Sequence, residues 1–415
     1  MNFDGTMDSL YATFRKIFKS AIFSFASILL APLKFAVKKK NVVILQSRSR
    51  QVYCDNTRYL YELLSQTERI DAYWVTDNTE IKRYIASRGW NYITWYNPIK
   101  LIRVALKAKV IVDNGSGFFD AFYLARDKSV FKVCVGHGIG PKATLERSKN
   151  IMTAVRQILD INEFDYVSFP SNYFSEVMGK KTYFLPNEKI VKFGYPRCDA
   201  FFNAEYVEEA HQDKKVVRAL QPLIEERDRI ILYTPTWRPY AYIFPLLEMP
   251  GFSFDEFDAW LKTHNMFFFY TVHSNLYPEN IPQDLDRIMF VNPDLNPLFD
   301  INRMMLETDV LVNDYSTTST DFSLLQRPQI FYMPDYDYYD AEKCFIDPFR
   351  ESMPGKEVVD YDEFKLTLQE AVNSPKNYVN KHSEQIKLLQ DRYYDINLKN
   401  STEELRDFFV KLCEV

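Results

Sequence analysis

Apolar positions recur along the chain in two rhythms. From Leu10 to Leu29 they fall at Leu10, Phe14, Ile17, Phe18, Ala21, Ile22, Phe25, Ile28 and Leu29. That is the three-and-four spacing of one helix face, with Ser20, Ser24 and Ser27 on the other side. Pro32 reads as the end of this helix. Beyond Lys40 the rhythm changes to short β-branched and aromatic runs separated by helical stretches. The spacing predicts strands at Asn41–Ser47, Ala72–Thr76, Tyr92–Tyr96, Val110–Asn114, Phe131–Gly136 and Tyr166–Pro170, with helices such as Asn56–Gln66 and Glu80–Arg88 between them. A polar helical stretch, Glu205–Arg227, interrupts. A second series follows at Arg229–Tyr233, Phe267–Val272, Ile288–Val291, Val310–Asn313 and Ile330–Tyr332, with helices Asp255–His264, Pro297–Glu307 and Thr317–Leu325. Buried strands alternating with helices form parallel sheets covered on both faces. The chain therefore reads as a segment 1–40, a first α/β unit 41–204, a helical connection 205–228, a second α/β unit 229–373 and helical residues 374–415.

Charge sharpens the reading of the first segment. Residues 1–40 carry seven Lys/Arg and two Asp, a net of +5, which leaves −10 on the remainder of a chain whose total is −5. The uncharged run Ser20–Leu33 has 14 residues, short of the roughly 20 that span a bilayer. A basic amphipathic helix of this kind lies in the plane of an anionic membrane surface. The acidic body excludes nucleic-acid binding by bulk charge. Five scattered Cys without metal spacing predict reduced thiols and no structural metal.

In doubly wound sheets ligands bind beyond the carboxyl ends of the strands, so polar residues there are the candidates for chemistry. Of the five His, His137 and His273 directly follow predicted strands, one in each unit. Histidine titrates near neutrality and suits proton transfer. Gly136, Gly138 and Gly140 flank His137 and allow close approach to the backbone. The run Asn313-Asp314-Tyr315-Ser316-Thr317-Thr318 leads from a strand into a helix and offers hydroxyls and free N–H groups to phosphate. A cap for the helix alone would need fewer hydroxyls. Thr236, Trp237 and Arg238 follow the first strand of the second unit, and Arg238 offers a planar fork for phosphate. Tyr195 and Arg197 lie in a turn at the end of the first unit. Neither a P-loop nor a strand-linked GxGxxG is present.

Six segments in order resemble the CDP-glycerol glycerophosphotransferase family, builders of teichoic acids and related polyol-phosphate capsule polymers. Val52-Tyr53-Cys54-Asp55-Asn56, followed by Tyr61-Glu62-Leu63-Leu64, resembles that family's YSDNP…IYEYL. Tyr73-Trp74-Val75-Thr76 resembles its second strand, and His137-Gly138 with Lys142 its HGTPLK. Gly194-Tyr195-Pro196-Arg197 with Asp199 resembles G-x-PRND, and Thr234-Pro235-Thr236-Trp237-Arg238 resembles APTWR. Asp300-Ile301-Asn302, then Asp309-Val310-Leu311 and Asp314-Tyr315-Ser316, resemble DIN…SDILITDYSS. Cys198 stands where that pattern has Asn, and Thr317 where it has a second Ser.

The resemblance implies a GT-B-like fold: two Rossmann-like doubly wound domains facing a cleft, with an N-terminal amphipathic membrane helix, peripheral on the cytoplasmic membrane face. It implies transfer of a polyol phosphate, chiefly glycerol phosphate, from a CDP-polyol to a hydroxyl of a lipid-linked or polymeric acceptor, with CMP released and no cofactor. His137 is then the base on the acceptor and His273 the group at the pyrophosphate. Arg238, Thr236, Asp314, Ser316, Thr317 and Thr318 hold the donor, and Gly138, Lys142, Tyr195 and Arg197 line the acceptor side. A CDP-ribitol transferase, a nucleotide-sugar glycosyltransferase of the same fold and a non-enzymatic membrane scaffold are the alternatives.

Overall fold

Alternate residues of β1 (Val42–Leu45) enter opposite cores, Val42 and Ile44 one, Val43 and Leu45 the other. A strand buried on both faces needs helices on both sides, which is the doubly wound arrangement the sequence predicts. The computed structural model describes residues 31–115, 129–138, 140, 151–202, 228–236, 245–271, 284–292, 296–343, 345, 349–395 and 400–414.

The first sheet contains β1, β2 (Asp71–Val75), β3 (Asn91–Ile93), β4 (Ala108–Asp113), β5 (Phe131–Cys134), β6 (Tyr166–Ser168) and β7 (Ile190–Val191), in the order β3-β2-β1-β4-β5-β6-β7. The second contains β8 (Arg229–Thr234), β9 (Met266–Thr271), β10 (Ile288–Val291), β11 (Val310–Asn313), β12 (Gln329–Phe331) and β13 (Lys356–Glu357), in the order β10-β9-β8-β11-β12-β13. Every pairing is parallel. In each sheet the first strand lies inside and the winding reverses beside it, between β1 and β4 and between β8 and β11. These reversals are the expected ligand-binding crevices.

The eleven strands expected from the sequence are all present. The two that were not expected, β7 and β13, have two residues each, too few to show a period. The helix expected at Pro297–Glu307 starts only at Ile301. The carbonyls of Pro297 and Leu298 instead accept from Tyr53 N and Arg58 Nη1, beside the first sheet (2.8 and 3.2 Å), and Asp300 caps the helix by accepting from Asn302 N at 2.8 Å. The helix expected at Thr317–Leu325 is α-helical over Thr318–Phe322 and tightens to a 3₁₀ turn over Ser323–Leu325. Pro32 lies in the first turn of the helical segment Ala31–Ala36, and the helix it was expected to end lies outside the described residues. The amphipathic segment Leu10–Leu29 and the connection Glu205–Arg227 lie outside the described residues. Among the described residues, no helix is long and apolar enough to cross a membrane.

The tail is shared between the two sheets. Tyr378, from the helix Pro375–Lys381, belongs to a core of the second sheet. The helix Ser383–Tyr393 sends Leu389 and Tyr393 against Tyr195 and Cys198. The last helix, Ser401–Glu414, returns to the first sheet, where Leu405, Phe409 and Leu412 pack with Val43, Leu45 and Trp74.

Asp199 anchors this return by accepting from Thr402 N at 2.5 Å. Burial pushes the Asp199 carboxyl up to about 6, against hydrogen bonds from Thr402 and Ser401 that pull it down. An acid raised above its unfolded value of about 3.9 binds its proton more tightly in the folded protein. The folded state is therefore favoured below about pH 4 and loses that advantage as pH rises to about 6. The loss is about 2–3 kcal/mol at most, from roughly two pH units at 1.36 kcal/mol each. Urea unfolding of Asp199→Asn against wild type from pH 4 to 7 measures this. The variant is expected to gain on wild type across that window, and a pH-independent difference would refute the assignment.

Candidate active site

The residues at the first reversal come together beyond β1, β4 and β5. Asp55 starts the helix Asp55–Ser65, Asn114 follows β4, and His137 follows β5 by three residues. His137 Nδ1 lies 2.6 Å from Asp55 Oδ2. The imidazole is 65% exposed while the carboxylate is 9% exposed, so the pair has one buried end and one open end. Burial alone would raise the Asp55 carboxyl, but Arg197 and His137 overcome it and hold the group well below the usual carboxylate range. An ionised carboxylate only accepts hydrogen bonds. In the neutral imidazole, Nδ1 therefore carries the hydrogen, and Nε2 is the nitrogen with a free lone pair.

The backbone is shaped to make this contact. Asp55 has φ +70°, a left-handed conformation that few residues other than Gly adopt and that Asp tolerates. Asn56 Nδ2 donates to the carbonyls of Val135 and Gly136 (3.0 and 3.1 Å) and so fixes the strand end that carries His137. Gly136 has φ +74°, and a Cβ there would sit 2.6 Å from Tyr195 Oη. Tyr195 is thus a buried floor under the histidine loop.

Arg197, expected at the cleft, is buried and spent within the protein. Its Nη1 donates to Asp55 Oδ1 at 2.6 Å and its Nε to Asp321 Oδ2 at 2.9 Å. Asp321 also accepts from Tyr394 Oη and from Asn302 Nδ2, the latter at 3.4 Å. One cation therefore links the carboxylate behind His137 to the helix Thr318–Phe322 that follows β11. A second buried cluster lies nearby: Arg58 pairs with Glu62 (3.0 Å) and Asp300 (3.7 Å), and Arg303 with Glu62 (3.3 Å).

The hydroxyl run after β11 faces the histidine loop. Asp314 is wholly buried and accepts from Thr236 N (2.9 Å) and Thr236 Oγ1 (2.8 Å), tying together the loops that follow β8 and β11. Ser316 Oγ and Thr318 Oγ1 are 2.9 Å apart. Thr317 packs on the glycines of the histidine loop: a Cβ on Gly138, which has φ +106°, would lie 3.2 Å from Thr317 Oγ1. The bare backbone there admits Thr317 as well as any substrate. Thr317 and His137 line one cavity of about 580 Å³. The helix after this run has only five residues, so a macrodipole adds less at its start than a long helix would.

His273, Arg238 and Lys142 lie outside the described residues. Among the described residues, no group of three or more His, Cys, Asp or Glu is placed to hold a metal ion. The sequence reading missed Asn114 and the roles of Asp55 and Asp321. Asp55 sits in the YSDNP-like segment and Asp321 is the sole acid between Ser316 and Gln326, but only the fold brings either to Arg197.

Residues 29–411 match the family described as CDP-glycerol:poly(glycerophosphate) glycerophosphotransferase. A teichoic acid ribitol-phosphate polymerase of Staphylococcus aureus is 26% identical over 83% of this chain and 65% of its own length. A teichoic acid glycerol-phosphate primase of Bacillus subtilis is 24% identical over 76% of this chain and 78% of its own. The chain spans less than two thirds of the length of the ribitol-phosphate polymerases it matches. Among solved structures, the wall teichoic acid polymerase TagF superimposes with a TM-score of 0.74 at 18% identity, covering 100% of this chain and 99% of that one. A UDP-GlcNAc 2-epimerase from Methanocaldococcus jannaschii gives 0.57 at 12% identity over 90% of this chain and 100% of its own, which extends the likeness to the GT-B-like architecture itself. With its two parallel sheets in matching order and a family match over nearly its whole length, this chain belongs to the CDP-glycerol:poly(glycerophosphate) glycerophosphotransferase family.

Proposed function

We propose that the protein transfers a polyol phosphate, glycerol phosphate in the first instance, from a CDP-polyol to a hydroxyl of a lipid-linked or polymeric acceptor in teichoic acid-like or capsule polymer synthesis. The observation that carries this reading is the Asp55–His137 pair, with its carboxylate held ionised and its imidazole exposed opposite Thr317. His137 Nε2 takes the proton of the acceptor hydroxyl. The acceptor oxygen forms a bond to the β-phosphorus, the bond from that phosphorus to the bridging oxygen breaks, and CMP leaves with the electron pair. The products are CMP, the new phosphodiester and one proton.

In this scheme Ser316, Thr317 and Thr318 donate to donor phosphate oxygens, while Asp314 and Thr236 hold their loops in register. Arg238 and His273 supply cationic or donor groups at the pyrophosphate, which neutralises the developing charge, and Lys142 lies on the acceptor side. The basic N-terminal segment holds the protein on the anionic cytoplasmic membrane face, where a lipid-linked acceptor is reached. CDP-ribitol is the second reading, favoured by the likeness to ribitol-phosphate polymerases. A nucleotide-sugar glycosyltransferase is less well supported. The single acid of the stretch Ser316–Gln326, Asp321, is buried against Arg197 and Tyr394 and does not face a donor ribose.

A panel of CDP-glycerol, CDP-ribitol, nucleotide sugars and a CMP-sugar control tests the assignment. CMP release from a CDP-polyol, lost in His137→Ala and in His273→Ala that remain folded, is expected. Nucleoside diphosphate release from a nucleotide sugar would overturn it.

A further inference from the structure

The His137 ring stands largely in the open, and the hydrogen bond it makes among the described residues runs from Nδ1 to Asp55 Oδ2. An imidazole held at one point takes its direction from the group that holds it. The placing of Nε2 therefore depends on how firmly the Asp55 carboxylate is itself held.

The two carboxylate oxygens are held differently. Oδ1 accepts from Arg197 Nη1 (2.6 Å) and from Asn56 N (2.8 Å). Oδ2 accepts from His137 and, at 3.1 Å, from Asn114 Nδ2. The direction of the amide follows, because an ionised carboxylate only accepts. Contacts at Oδ1 fix one end of the carboxylate, and its plane is fixed only when Oδ2 is held as well. Among the described residues, Asn114 is the group other than His137 that holds it.

Asn114 is firmly mounted for this. Asp113, just before it, accepts on its side chain from Gln46 Nε2 (2.9 Å), beyond β1, and from Gly115 N (2.6 Å). The Asp113 carbonyl accepts from Val135 N (2.9 Å), beyond β5. Asn114 thus sits between the two strands that lead to Asp55 and to His137. Stability alone does not account for an amide there. Asn114 is fully buried, and its Oδ1 has no hydrogen-bond partner among the described residues, which is unfavourable for a buried carbonyl oxygen. A buried polar group satisfied on one side only is the kind of local inconsistency found at functional sites. The satisfied side is the one that meets Asp55.

We propose that Asn114 is a positioning residue for the transfer: by fixing Asp55 Oδ2 it holds the exposed His137 ring in the orientation and tautomer that present the Nε2 lone pair to the acceptor hydroxyl. Because Asn114 donates, Oδ2 stays an acceptor and the hydrogen of the pair stays on His137 Nδ1. This rests on the reading of His137 as the base on the acceptor.

The test uses Asn114→Leu, which keeps the branched shape without a donor, and Asn114→Val, which also lacks a donor and is one atom shorter, so that it fits without displacing Asp55. Two readouts are taken on each. The first is steady-state CMP release from a CDP-polyol. The second is the spectrum of the His137 ring nitrogens in protein labelled with ¹⁵N-histidine, assigned by its loss in His137→Ala, at a pH where the imidazole is neutral. Wild type is expected to show one tautomer, with its hydrogen on Nδ1. Both variants are expected to show averaging between the two tautomers. Their kcat is expected to fall about 10- to 100-fold with KM for the CDP-polyol little changed, the scale on which slight misplacement of a reacting group acts. A wild-type nitrogen spectrum in a folded variant, or a kcat within about threefold of wild type, would overturn the proposal. If wild type releases CMP from no CDP-polyol, the reading of His137 as the base fails separately. The nitrogen spectra then decide whether Asn114 orients the pair: averaging in the variants supports it, and spectra equal to wild type overturn it.

Discussion

Asp55→Asn is expected to lower kcat for CMP release by about 10²- to 10⁴-fold, with the KM for the CDP-polyol little changed, by analogy with loss of the orienting carboxylate in a hydrolase triad. The reason is local. The wild-type carboxylate only accepts, so it keeps the hydrogen on Nδ1 and the lone pair on Nε2. An amide at the same place can donate to Nδ1, which stabilises the tautomer with its hydrogen on Nε2, and that nitrogen then has no lone pair for a proton. The substitution keeps the volume of the side chain, and Arg197 retains Asp321 as a partner, so the fold is expected to persist. Steady-state CMP release alongside a thermal unfolding curve separates the two effects. A folded Asp55→Asn protein with activity within about threefold of wild type, against the 10²-fold or greater loss expected for an orienting group, would remove Asp55 from the mechanism.

Arg197→Met is expected to destabilise the protein by about 3–5 kcal/mol near neutral pH, the usual cost of removing one partner from a buried ion pair. Methionine fills much of the space, but the carboxylates of Asp55 and Asp321 lose the cation between them. The sign of the pH dependence follows from Asp55. Its folded carboxyl is held below the usual range in part by Arg197, and a depressed acid contributes stability above its unfolded pKa of about 3.9 that is lost as pH falls toward the folded value. That contribution is missing from the variant. The gap between wild type and Arg197→Met is therefore widest near neutrality and narrows below about pH 4. Urea unfolding at pH 7 and pH 3.5 measures it. An equal gap at both values would mean that Arg197 acts by packing alone.

Both predictions concern a connection that sequence reading did not make. The resemblance implied that Tyr195 and Arg197 line the acceptor side, and the sequence itself showed only a turn that carries a cation. Whether such a cation is free depends on what stands opposite, and Asp55 and Asp321 are 142 and 124 residues away. The glycines give a similar lesson. Their clustering around His137 was visible in the sequence and was read as room for substrate. Gly136 and Gly138 also make room for Tyr195 and Thr317, contacts that depend on where distant residues fold.

What the sequence by itself determined is local or periodic. Strand and helix alternation, the burial of both strand faces and the placing of His137 at a strand end are encoded over stretches of a few to thirty residues, the range over which period and chain direction act. Tertiary structure decided which charges are available and which are consumed. It brought the last helix back to the first sheet, joined Asp55 to His137 and buried Arg197 between two carboxylates. The physical reason is that hydrogen bonding and ion pairing depend on distances of about 3 Å, and those distances are set by packing between segments whose separation along the chain carries no record of their separation in space.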